Sequence, residues 1–212
     1  MSDLPHTCLL LIVLCNFYVL STGRLANLIR ILSVEGVLLS LIPLPAALAG
    51  SAHAAILVAG TLAVKGVIMP ALLMRALRSI DEPLDSRPIV GAVYSLIPGF
   101  FILAAAFVAG LHIPLGDAFD PLIGGVGLAT LVTSMLYMVN SRKAISQVIG
   151  FFIMENGILI LAVGIRHGLP FVIEIAILFD LLLAAMIFGG FIRRMHEVFT
   201  HTDTSRMRKL KG

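Results

Sequence analysis

The sequence predicts an all-α integral membrane protein of about seven transmembrane helices, on three observations. Apolar residues make up 59% of the chain, only 13% are charged, and the mean hydropathy is +1.05. Soluble domains carry about twice that charge, so a water-exposed fold is excluded. Apolar runs of about 20 residues, the length that crosses a bilayer core, recur along the chain. Lys and Arg then gather between alternate runs, as they do where a chain crosses a membrane repeatedly.

Reading the runs against Gly, Pro and charge breaks places spans near 5–22, 27–48, 54–76, 89–111, 119–139, 145–166 and 170–192. The first follows Met1-Ser2-Asp3-Leu4-Pro5-His6, which has no basic residue and no small-residue cleavage pattern, and so reads as a span, not a secretory signal. It holds Cys8 and Cys15, seven residues apart on one helical face and without metal or redox spacing, expected to make lipid or packing contacts. Arg24 and Arg30 follow the first span. Arg75, Arg78 and Arg87 follow the third, Arg142 and Lys143 the fifth, and Arg193, Arg194, Arg206, Arg208, Lys209 and Lys211 the seventh. Of the opposite loops, only the one with Arg166 breaks the pattern. The expected orientation is N-terminus outside and C-terminus cytoplasmic. A pI near 9.1 then marks a membrane face, and nucleic acid is not an expected partner.

Pro43, Pro45, Pro70 and Pro98 lie inside spans, where the lost backbone hydrogen bond must be replaced by a neighbouring helix or water, so kinks or unwinding are expected. Residues 79–88, rich in mixed charge and proline, read as a solvated cytoplasmic turn open to a docking role. Gly124-Gly125-Val126-Gly127 lacks the strand and the Lys-Ser/Thr of a phosphate loop, and is expected to serve close helix packing.

The candidate functional residues are the ionisable groups deep inside these runs: Glu35, Lys65, Glu155 and Asp180. Glu155 is about ten residues from either end of its span, which at ~1.5 Å per residue places it ~15 Å deep, beyond the reach of snorkelling. Lys65 and Asp180 are near mid-span, and Glu35 is nearer the cytoplasmic end. A charge at the bilayer centre costs from about 2.5 kcal/mol to more than ten, depending on the method. Two readings stay open. The groups form static ion pairs that hold helices together, or they pass protons, which suits three acids sharing one lysine because an isolated buried carboxylate takes up a proton. The partner of Lys65 is equally open: Glu35, Glu155 or an acid of another subunit. Glu174, with His53, His112 and His167, lies near the outer face, either as proton access or as ordinary interfacial residues. No spacing suggests a metal site, a nucleophile or a cofactor, so no catalytic residue is expected in this chain.

The segment Leu28 to Gly36 aligns with Val148 to Asn156 so that Glu35 and Glu155 coincide. The alignment divides the chain into a three-helix unit at 1–78, a loop and connector helix at 79–118, a second three-helix unit at 119–194 in the same orientation, and a basic tail at 195–212.

The run Ser141-Arg142-Lys143 to Met154-Glu155-Asn156-Gly157, with Lys65-Gly66-Val67-Ile68-Met69-Pro70 and the ending Leu210-Lys211-Gly212, resembles a known family. It is similar to the E component of hydrogenase-4 and formate hydrogenlyase type complexes, whose last three helices are similar to the K subunit of respiratory complex I and the C subunit of multisubunit sodium/proton antiporters. The resemblance implies a cofactor-free subunit of a bacterial or archaeal cytoplasmic membrane. Its implied partners are antiporter-like membrane subunits, a quinone-subunit-like anchor and hydrogenase or related redox subunits. Of the two glutamates that serve the proton axis of the complex I K subunit, the second matches Asp180. The first falls on Phe152, so that the acid is displaced by three residues, to Glu155. An antiporter without a redox arm and a structural spacer remain as alternatives.

Overall fold

The computed structural model of the chain describes residues 4–78, 92–112, 120–141, 143–164 and Gly190. These residues are helical apart from short connections, with no strand among them: α1 (Leu4–Ser21), α2 (Leu25–Leu41), the short α3 (Leu44–Leu48), α4 (Ala52–Thr61), a π-helical segment (Leu62–Ile68), α5 (Met69–Arg78), α6 (Ala92–Leu111), α7 (Pro121–Val139) and α8 (Ala144–Val163). Leu4–Ser21, Ala54–Arg78, Pro121–Val139 and Ile145–Val163 are each long and apolar enough to cross a membrane, and Ile97–Leu111 is a shorter apolar helix. The protein is a multi-pass, all-α membrane protein. The expected span at 170–192, with Glu174 and Asp180, lies outside the described residues, as do the loop at 79–88 and the basic tail.

One span differs from expectation. The run at 27–48 is not one helix: α2 stops at Leu41, a turn follows at Ile42–Pro43, and α3 begins at Leu44. Pro43 and Pro45 have no N–H to return to the carbonyls of Leu39 and Leu41, so the hydrogen-bond ladder of α2 ends there although Ile42 keeps helical angles, and Pro45 is tolerated in the first turn of α3, where its missing N–H costs nothing.

The bundle is organised around α2, which packs against α1, α4, the π segment, α5 and α8, and around α7, which packs against α1, α6 and α8. Its buried apolar side chains form two clusters. One takes Val19 from α1, Leu25, Leu28, Ile29 and Leu32 from α2, Val64 from the π segment, Met69, Leu73 and Leu77 from α5, Tyr137 from α7, and Ile149, Phe152 and Ile153 from α8. The other takes Cys8, Leu9, Ile12 and Cys15 from α1, Leu38, Leu39 and Ile42 from α2, Val126 from α7, and Leu159, Ile160 and Ala162 from α8. Both cysteines are thus packing residues. The chain order of these contributions shows that the clusters are two layers, one at each end of the bundle. The first layer is at the end that carries Arg24, Arg75, Arg78 and Lys143, called here the basic end.

Close backbone approach sets two of the helix crossings. A Cβ on Gly157 of α8 would lie 2.9 Å from the Leu131 amide and 3.1 Å from the Gly127 carbonyl of α7, so the expected packing role of the glycine-rich run is met at Gly127. A Cβ on Gly36 of α2 would lie 2.6 Å from the Lys65 carbonyl carbon and oxygen. Gly36→Ala is therefore expected to push α2 off the π segment, at a cost of about 1–3 kcal/mol typical of overpacking. Gly60→Ala, where a Cβ meets nothing within 4 Å, should cost nothing, and denaturant unfolding in micelles compares the two.

Candidate functional site

Between the two apolar layers lies a buried polar cluster, and its construction starts at Pro70. Proline has no N–H to return to the carbonyl four residues back, which is that of Gly66, and its ring crowds that carbonyl. The chain answers in two ways. The helix widens to a π turn over Leu62–Ile68, in which the Met69 N–H reaches back to the Val64 carbonyl. The freed Gly66 carbonyl accepts a 2.6 Å hydrogen bond from the Ser33 hydroxyl of α2. A neighbouring helix thus replaces the lost bond, as expected for a membrane-embedded proline. Gly36, by its lack of a side chain, lets the two backbones come close enough for this.

The π segment carries Lys65, which is 6% exposed, and turns it toward α8. There its Nζ lies 3.4 Å from Glu155 Oε2. Next along α8, the Asn156 amide donates a 3.1 Å hydrogen bond to Glu35 Oε2. Glu35 is fully buried, and its other oxygen, Oε1, has no hydrogen-bond partner among the described residues. The structure therefore brings together three of the four sequence candidates, Glu35, Lys65 and Glu155, and pairs the lysine with Glu155. The fourth, Asp180, lies outside the described residues, as does Glu174. Of the three histidines noted near the outer face, His112 closes α6 with its Nδ1 2.8 Å from the Val108 carbonyl oxygen, and His167 is not described.

The π segment packs on α2 but reaches α8 through the lysine side chain. A small cavity remains in that gap, lined by Leu32, Lys65, Met69, Phe152 and Asn156. A second polar contact crosses the bundle elsewhere. Asn16 of α1, fully buried, donates a 2.9 Å hydrogen bond to the Thr130 hydroxyl of α7, which in turn donates to the Val126 carbonyl. Sequence reasoning that weighed only ionisable groups missed Asn16 and Asn156. Their signal was available, since a buried amide in an apolar helix also requires a partner.

The chain is 25% identical over 212 residues to an uncharacterized protein of Mycobacterium tuberculosis, an alignment that covers 94% of this chain and 92% of that protein. It is 24% identical over 150 residues to hydrogenase-4 component E of Escherichia coli, covering 70% of this chain and 69% of that protein, with the same figures for the component of Shigella flexneri. No family model matches the chain. No solved structure matches it either.

Removing one member of a buried ion pair leaves an uncompensated charge. Lys65→Met is expected to destabilise the bundle by about 3–5 kcal/mol, whereas Lys65→Met with Glu155→Leu recovers most of that loss. A double-mutant cycle on the unfolding free energy in micelles measures the coupling; additive effects would show that the pair carries no energy.

Proposed function

We propose that this protein is a membrane subunit of an energy-converting, complex I-related hydrogenase of the hydrogenase-4 type, and that Glu35, Lys65 and Glu155, with Asp180, carry protons along the membrane midplane. The observation that supports it most is the layering: among the described residues, two carboxylates and one ammonium sit between two apolar clusters. Among the described residues the cluster has one cation for two acids, so it is neutral only when those two acids hold one proton between them; Asp180 adds a further acid to the relay, and a buried net charge is costly. That shared proton is the mobile one. Among the described residues an apolar cluster lies on either side of these groups, which favours a route that runs sideways, from helix to helix.

The similarity to hydrogenase-4 component E supports the choice of complex. In this reading the redox chemistry belongs to partner subunits, namely hydrogenase proteins, antiporter-like subunits and a quinone-subunit-like anchor, and this chain binds no cofactor. It faces them as two three-helix units in a cytoplasmic membrane, C-terminus inside. A rival reading rests on the same contacts: both pairs join α8 to the first half of the chain, which a purely structural spacer would also need.

Glu155→Gln keeps the side-chain shape but cannot take up a proton, and Asp180→Asn does the same at the fourth position. Each is expected to lower the number of protons moved per turnover in vesicles while the complex still assembles. An unchanged ratio would defeat the relay and favour the spacer. Mass spectrometry of the native assembly tests the other half of the reading, and the absence of hydrogenase or related redox subunits would end the hydrogenase assignment.

A further inference from the structure

On the apolar surface of the bundle, between α1 and α6, runs an open groove of about 570 Å³. Its α1 wall is Leu14, Phe17, Tyr18 and Ser21, whose spacing puts all four on one helical face. Its α6 wall is Ile97, Phe100 and Phe101, spaced in the same way. Phe17 and Phe100 stack across it with ring centroids 5.7 Å apart, and a Cβ on Gly99 would lie 3.1 Å from Leu20 Cδ1, so the two helices touch along its floor. Leu14, Ile97 and Phe101 are 63%, 61% and 67% exposed, which leaves the rim open.

Length and lining decide what fits. Ser21 is the last residue of α1, and Leu14 lies ~10 Å back along the axis, so the groove starts at the basic end and stays within one leaflet of a ~30 Å core. A partner helix that crosses the membrane needs contact through both leaflets; an acyl chain needs only one. Where helices of this bundle meet closely they do so on glycine, as at Gly36, Gly110 and Gly157. The residues that line the groove include four aromatic rings and no glycine. Such rings hold a second backbone away and leave space for a thin, flexible chain.

The end of the groove at Ser21 is polar. The Tyr18 hydroxyl accepts a 3.1 Å hydrogen bond from the Asn27 amide in the first turn of α2, which orients it and leaves its own proton to donate. Arg24, three residues beyond Ser21 and so within ~11 Å of it, is exposed and makes no side-chain cap bond at the start of α2. Both groups are donors at the level of the lipid headgroups.

We propose that this groove binds one anionic phospholipid of the leaflet at the basic end, with an acyl chain along the aromatic face and the phosphate on Arg24 and the Tyr18 hydroxyl. Charge sets the headgroup class: a zwitterionic lipid brings its own cation close to Arg24 and gains less there.

The chain has no tryptophan, so Phe101→Trp gives the purified full-length protein a single fluorophore in the groove. In lipid discs, chain-brominated phosphatidylglycerol is expected to quench it about fivefold more effectively at low mole fraction than chain-brominated phosphatidylcholine, the factor that ~1 kcal/mol for one basic residue at a membrane surface corresponds to. Val108→Trp, at the other end of α6, should show no preference. Arg24→Gln should abolish the preference in the Phe101→Trp protein. If Phe101→Trp does not fold, Leu14→Trp reports from the opposite wall. Equal quenching by the two lipids, or a preference that survives Arg24→Gln combined with Tyr18→Phe, overturns the site. In the native complex, photoreactive benzoylphenylalanine in place of Phe101 should cross-link to lipid. Capture of a protein subunit instead would put a partner in the groove and overturn the lipid.

Discussion

The contact on which the remainder of the structure depends is that between Lys65 and Glu155, 3.4 Å apart inside an apolar bundle. Neither charge is stable there alone, and together they must be held by backbones that do not move. Several otherwise unrelated features become intelligible as consequences. Pro70 forces the helix of Lys65 to widen, and Ser33 secures the carbonyl that the proline frees. Gly36 removes the side chain that would keep α2 away. Gly127 and Gly157 bring α7 and α8 into backbone contact and so fix where Glu155 stands. A buried ion pair adds little net stability over an apolar pair of the same volume. The fold therefore bears a cost that stability alone does not explain.

Much of this was legible before the structure. Apolar runs of spanning length located the helices, since in a bilayer every backbone group must be satisfied within its own helix and length follows from bilayer thickness. Charges inside those runs pointed to Glu35, Lys65 and Glu155 for the same reason. The pairing was not legible. Lys65 and Glu155 lie on distant segments, and whether the lysine turns to α2 or α8 depends on the π turn, whose geometry no periodicity of apolar residues reports. At Pro43 and Pro45 a kink or unwinding was expected, and the structure goes further and ends α2 at Leu41. Asn16 was passed over and Asn156 was read only as part of a motif, because an amide disturbs hydropathy less than a charge, although it demands a partner as firmly.

The position of α8 has a consequence for coupling. Glu155 and Asn156 are consecutive, so they point about 100° apart around the helix axis. One turns to the π segment and the other to α2, and α8 is thereby the common member of both pairs. Because α2 itself packs against the π segment, the three elements form a closed ring of contacts with the cavity in the gap. A change of charge on any one of the three ionisable groups alters the balance of the other two through short, poorly screened distances. Two independent ion pairs, each on its own helices, would have no such property. In the proposed relay each group would have to sense the state of the next, and α8 would supply that link through two adjacent residues.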